Sequence, residues 1–314
     1  MIKRIVYIML VAWAATLTAA AQLPHSYTCD FENDAENALW QLNKPKNEAY
    51  TWVNQWAIGS ATASLGQKSL YISPDLGETA KYVKTDSRVM IAWRELQLEA
   101  GRYDLAFDWV CRGDSSRASL LVAWVPESDF GDMYCKLGDD YKATKWIVNN
   151  MLHFDGSELR SDRAVWTHAV DTIQSDGEKH RLVFLFVYSS AARIAHPGPG
   201  VDNIQLCRNN CGMPTDMKIS LSGRTAQMAW QSQAEKFNLR MHRMGDTKTE
   251  LIKDIPLTNY NAIGLQDGVY DNQIQIICEG DTSVWYNFPT AFVYDARCFD
   301  YLDLKDEFHT LAQM

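Results

Sequence analysis

Cysteine and proline are scarce, at 7 and 9 in 314 residues, and so few cysteines exclude a disulfide-scaffold protein. Positive charge is also short: 30 Lys and Arg face 39 Asp and Glu, a net charge of −9. Reading a nucleic acid takes a dense cationic surface, so a nucleic-acid partner is excluded. After Ala21 no uncharged apolar run approaches the roughly 20 residues that a membrane-spanning helix needs, and no transmembrane segment is expected there. The chain has no G-x-S-x-G, H-E-x-x-H, G-x-x-x-x-G-K or G-x-G-x-x-G. Nucleophile-elbow, zincin and nucleotide-loop readings therefore lack their minimum geometry.

What is present begins with residues 1–21. Lys3 and Arg4 precede an apolar stretch from Ile5 to Leu17, and Ala19-Ala20-Ala21 precede Gln22. These are the three zones of a secretory signal peptide, so the mature chain is expected to be exported, to a cell surface or beyond it. Cys29 lacks the small-residue context of a lipoprotein anchor. Export permits disulfides, and an odd cysteine count leaves at least one thiol free or paired outside the chain. Hydrophobic residues at 46% supply enough apolar surface for real cores.

Nearly every later apolar segment has strand length and strand period. Tyr103, Leu105, Phe107 and Trp109 alternate with Asp104, Ala106 and Asp108, which puts four large apolar groups on one face of an extended chain. Arg181 to Tyr188 and Ser119 to Val125 are continuous apolar runs suited to central strands of packed sheets. Turn formers such as Gly66, Gly113-Asp114 and Pro197-Gly198-Pro199-Gly200 separate the pieces. No helical stripe occurs beyond a turn near Asp34 to Leu39, so the fold class is all-β. Composition changes at Cys207 to Pro214, where two Cys, two Asn, a Gly and a Pro mark a linker. The expected units are residues 22–206, a linker at 207–214, a sandwich of about seven strands at 215–296, and the opening of a further segment at 297–314. Residues 22–206 and 212–296 are each expected to fold alone.

In the second unit Trp230, the alternation Phe237, Leu239, Met241, and Tyr270 followed by Ile274, Ile276 and Cys278 resemble a fibronectin type III domain, an immunoglobulin-like β-sandwich. Asn272 departs from that pattern, which has an apolar residue two after the tyrosine. In the first unit CDFEN at 29, Trp56 to Gly59, Gly66 to Ser73 and the closing Val201-Asp-Asn-Ile204 resemble the jelly-roll modules of secreted Bacteroidetes surface proteins, akin in pattern to cleaved-adhesin, MAM-like and carbohydrate-binding modules. The resemblance implies that the first and last strands of the jelly roll lie side by side. It also implies that the chain enters the fibronectin-like sandwich at the pole where its sixth strand ends, which brings Cys211 and Cys278 together. Pairing of Cys207 with Cys211, or of Cys207 with Cys29, stays open, and Cys298 would await a partner in a downstream domain or chain.

Candidate chemistry is thin. Glu32 and Asp202 match the acids that hold a structural calcium in modules of the resembled class, and hard oxygen ligands suit that ion; capping a sheet edge explains them equally. Trp124 and Trp146, with flanks that suggest a rim, are candidates for stacking on a sugar face. Asp104/Asp108 or Glu95/Glu99 could supply a glycosidase pair about 5 to 9 Å apart, although alternation reads Asp104 and Asp108 as the solvated face of a strand. His153, His168, His180, His196, His242 and His309 have no partner at ligand spacing and read as surface or loop residues. The function expected is non-catalytic binding or adhesion, to glycan or protein, with the fibronectin-like unit as spacer. The alternatives are a jelly-roll glycoside hydrolase or the accessory region of a larger one, and a purely structural stalk.

Overall fold

The computed structural model describes residues 22–43, 52–85, 87–112, 118–130, 136–137, 149–154, 159, 164–193, 196–289 and 291–293. Trp146, His309, Cys298 and the whole 297–314 segment lie outside the described residues. No helix among the described residues is long and apolar enough to cross a membrane.

The N-terminal module opens with β1 (Ser26–Cys29), the short helix α1 (Asp34–Asn37), β2 (Gln41–Leu42), β3 (Gln55–Gly59) and β4 (Ser69–Ser73). It continues with β5 (Arg88–Gln97), β6 (Gly101–Val110), β7 (Ala118–Pro126), β8 (Lys136–Leu137), β9 (Thr167–Ser175), β10 (Lys179–Tyr188) and β11 (Gly200–Arg208). Helix α1 is the turn expected near Asp34, and Asn33 caps it by accepting from the amides of Ala35 and Glu36. One sheet runs β3-β4-β11-β6-β9, with β1 also on β11; the other runs β2-β5-β10-β7, with β8 on β5. First and last strands are neighbours as expected, Cys29 lying opposite Ile204.

The alternation of β6 decides how the sheets meet. Tyr103, Leu105, Phe107 and Trp109 are all buried, and Phe107 packs edge-on against Phe184 of the opposite sheet, centroids 5.4 Å apart. In β10 both faces are closed: Phe184 and Phe186 point to the first sheet, while Val183 and Leu185 point away and are equally buried. That double burial is why the strand reads as an unbroken apolar run.

The second module comprises β12 (Thr215–Ser222), β13 (Thr225–Gln231), β14 (Lys236–Arg243), β15 (Thr249–Ile255), β16 (Asn259–Ile263) and β17 (Gly268–Cys278). It closes with β18 (Asp281–Thr282), β19 (Tyr286–Asn287) and β20 (Ala291–Val293). One sheet is β12-β13-β16 and the other β15-β14-β17, with β18, β19 and β20 all on β17. The single last strand read from the sequence is broken between β19 and β20, where Pro289 has no N–H to give to a ladder. Trp230 fills the space between the sheets, edge-on to Phe237 at 5.1 Å. The Tyr270 hydroxyl donates to the Gln266 carbonyl at 3.0 Å, tying down the corner before β17. Cys211 and Cys278 form a disulfide, Cα atoms 5.9 Å apart. Architecturally the chain is two β-sandwiches.

Three expectations need correction. Cys29 and Cys207 are both unbridged: Cys207 stands three residues from Ile204, the partner of Cys29, so the two thiols point to opposite faces of the sheet. Cys207 is therefore bonded to neither Cys29 nor Cys211. Cys207 and Arg208 belong to β11, not to a linker. Finally, the polar face of β6 is not solvated. Ala106, Val170 and Cys207 on that face join the apolar cluster of the second module, and Asp104 is wholly buried. The alternation of β6 held, but a second sandwich covers the side that would otherwise meet water.

Candidate functional site: the cleft between the modules

Where the second module leans on β6 and β9, a polar seam forms. The Tyr286 hydroxyl and the Asn209 side-chain amide both donate to Asp104 Oδ2, and the amide also reaches the Tyr286 oxygen at 2.8 Å. Burial pushes the Asp104 carboxyl above its ordinary range, the two donors working against it. Four residues along β6, at Asp108, the seam opens into a cleft of about 750 Å³ lined from both modules, within the usual size of small-ligand sites.

Asp108 anchors its N-terminal wall. Its Oδ1 faces His168 Nδ1 at 2.8 Å, and its Oδ2 accepts from Ser64 Oγ and Asn203 Nδ2, each at 2.8 Å. A bulge between Asp202 and Gln205 in the β11–β6 pairing, with Asn203 at φ 50°, turns that amide onto Asp108. Burial works to raise Asp108, but hydrogen bonds from His168, Asn203 and Ser64 prevail and hold it below its ordinary value. His168 Nε2 meets the Trp285 carbonyl at 3.1 Å, bridging the modules. Ser, His and Asp thus touch without forming a hydrolytic triad. The serine donates to the aspartate, and both histidine nitrogens face acceptors, so none is left to take a proton from a nucleophile.

The opposite wall is the polar face of β14 and β17. Arg240 directs Nε to Gln273 Oε1 at 2.7 Å and Nη2 to the same oxygen, with its guanidinium 4.8 Å from the Trp285 ring centroid. Burial lowers its pKa, opposed by the charge of Asp108. Gln273 Nε2 donates to Asn287 Oδ1 at 2.7 Å. Asn272, the departure from the fibronectin pattern, is buried on the inward face of β17, opposite Met241 and in phase with Tyr270 and Ile274, where its Nδ2 donates to the Tyr270 carbonyl at 3.4 Å. Trp166 lies half-buried in the N-terminal wall. Gly200 makes room for its ring, since a Cβ there would come within 3.0 Å of it.

The residues singled out from sequence fall elsewhere. Glu32 and Asp202 do converge on one loop, but through amides: Glu32 Oε1 accepts from Gln67 N at 2.6 Å and Lys68 N at 2.7 Å, and Asp202 Oδ2 from Ser64 N at 2.8 Å and Leu65 N at 3.2 Å. Gly66 permits this, with φ +70° and a position where a Cβ would fall 2.4 Å from Glu32 Oε1. Burial pushes Asp202 up to about 6 despite its amide donors, Asp108 adding to the rise. Among the described residues no three His, Cys, Asp or Glu side chains group as metal ligands.

Trp124 is not on a rim. It is 7% exposed, its ring lies flat on His180 at 4.7 Å, and its Nε1 donates to the Gln174 carbonyl at 3.0 Å, leaving no free face for a sugar. His168 and His180 are accordingly not surface histidines. Asp104 and Asp108 stand four residues apart on one extended strand, about 13 Å by the strand rise, too far for the glycosidase spacing. Glu95 is held by Arg181 and Lys179, and Glu99 by Arg208.

No family model and no curated protein matches the chain. Among solved structures it is similar to the FN5 domain of Drosophila Lar, with 15% identity over 26% of this chain and 96% of that one and a TM-score of 0.24. It is also similar to the CBM22-1 xylan-binding domain from Paenibacillus barcinonensis Xyn10C, with 12% identity over 60% of this chain and 97% of that one and a TM-score of 0.32. A β-1,2-glucanase from Parabacteroides distasonis shares 10% identity over 87% of this chain and 37% of that one, TM-score 0.26.

Proposed function

We propose that the chain is an exported, non-catalytic binding protein of the cell surface or its surroundings, and that it holds a glycan in the cleft between the two sandwiches. The observation that carries the reading is the make-up of that cleft: Trp166 offers a ring surface from one module, and Arg240, Gln273 and Asn287 offer polar groups from the other. C–H-rich sugar faces pack on such a ring while amides and guanidinium meet the hydroxyls. The fibronectin-like module is then half of the site, where the sequence had suggested a spacer. The signal-like pattern of residues 1–21 and the Cys211–Cys278 bridge support export, and the jelly-roll motifs support glycan over other ligands. A hydrolase reading loses its carboxylate pair, as worked out above. A glycan array together with a reducing-sugar release assay on the full chain tests the proposal. Binding that Trp166→Ala abolishes, without turnover, is expected; sugar release, or binding indifferent to Trp166, would overturn it.

A further inference from the structure

We infer that the cleft selects acidic saccharides, with the Arg240 guanidinium taking the carboxylate or sulfate of the bound sugar. The inference rests on the binding role just proposed and adds the charge class of the ligand. Five arginines have acid partners: Arg94 with Glu36, Arg181 with Glu95, Arg208 with Glu99, Arg224 with Asp267 and Arg243 with Asp246, while Arg102 and Arg112 bond neutral oxygens but are exposed to water. Arg240 has no acid partner among the described residues. Among them its hydrogen-bonding partner is a neutral oxygen, that of Gln273.

The acid nearest in charge, Asp108, is already occupied by Ser64, Asn203 and His168. The other acid of the cleft wall, Asp271, is exposed and lies cross-strand from His242, where water and salt screen it. Arg240 is thus a partly desolvated cation without an ion pair of its own, the charge of Asp108 acting on it without a direct contact, and a charge left unpaired in such a place is costly. It is also oriented in advance, because the Trp285 ring holds one face of the plane and Gln273 fixes one edge. A neutral sugar leaves the cost in place, whereas an anionic group forms short charge-assisted hydrogen bonds with the remaining N–H groups. A chain of net charge −9 repels polyanions in general, so attraction of an acidic glycan must come from a local site.

The test uses matched polymers on the full chain: polygalacturonate and its methyl ester, hyaluronan and its methyl ester, dextran sulfate and dextran. The expected result is binding to an acidic member at least about tenfold tighter than to its neutral mate, weakening as salt is raised. The ester pairs report carboxylate recognition and the dextran pair sulfate recognition. Arg240→Gln should erase the difference. Gln273→Glu, close to isosteric, should erase it too by giving the guanidinium a resident acid, and it serves as the decisive variant if Arg240→Gln does not fold. Equal binding of acidic and neutral mates, or a preference that survives both substitutions, overturns the inference and leaves the glycan-binding role standing. Failure of every saccharide to bind removes the binding role and the inference with it.

Discussion

The seam at Asp104 offers the sharpest test of how the modules are joined. Asp104 Oδ2 takes donors from Tyr286 and Asn209, and all three residues are buried. Tyr286→Phe removes one donor from a carboxyl that water cannot reach, a loss of about 1–3 kcal/mol. Asp104→Ala strands the hydroxyl and the Asn209 amide together, for a loss of similar size. In the double variant the hydroxyl is already gone, so the second change costs less, and the coupling should come to about 1 kcal/mol or more. Urea and thermal unfolding of the full chain and the three variants read this directly. At roughly 2–4 °C per kcal/mol for a protein of this size, each single variant lowers Tm by several degrees. A weakened seam lowers the first unfolding step, because the module that opens first gives up the contact and the other then melts as if alone. Losses that add within about 0.3–0.5 kcal/mol would refute the reasoning, since Asp104 and Tyr286 would then act independently.

Replacing Cys211 and Cys278 by serine frees a loop spanning a separation of 67 residues and should cost about 4 kcal/mol on the chain-entropy model, measured as a fall in urea midpoint. Trp124→Ala should lower stability by about 3–5 kcal/mol, as expected for a core aromatic, and leave glycan affinity unchanged; a selective loss of affinity would restore Trp124 as a ligand residue. Because the folded value of Asp202, about 6, lies above its ordinary 3.8, the native state keeps a proton that the unfolded chain releases. Stability therefore falls as pH rises between those values, and Asp202→Asn should flatten that part of the pH–stability curve. Chelation tests a shared calcium ion at Glu32 and Asp202: a bound ion predicts a lower melting temperature with chelator and loss of that response in Asp202→Ala, and an unchanged melting curve would leave the two acids serving their amide donors alone.

Periodicity made β6 legible as a strand and identified the face that carries Tyr103, Leu105, Phe107 and Trp109. It could not say what lies against the other face, because alternation records polarity and not whether water or a second sandwich does the covering. Tyr270 was legible because its bond is local, hydroxyl to a carbonyl four residues back. Trp124 was misplaced: the sequence shows a proline and an acid after it, while the His180 ring that closes its face arrives by pairing with a strand more than fifty residues away. Arg240 carried a signal that was passed over, as the polar member between Leu239 and Met241. The outward residues Arg240 and His242 of β14 line the cleft, and alternation alone does not show what stands opposite them. The Asp202-Asn203 pair was recognised as special, but its use depends on a bulge and a positive φ that no spacing rule displays.

The bridge between Cys211 and Cys278 also governs what a protease could accomplish. Leu257, past the end of β15, is 61% exposed, an inviting place for a nick. The polypeptide downstream of such a cut carries Asp281, Trp285 and Tyr286, which touch the first module. With the sulfurs joined, that fragment stays tethered to Cys211, hence to the end of β11, and nothing is shed until the bond is reduced. Cleavage would thus pass unnoticed on a non-reducing gel and become visible only with a thiol in the sample.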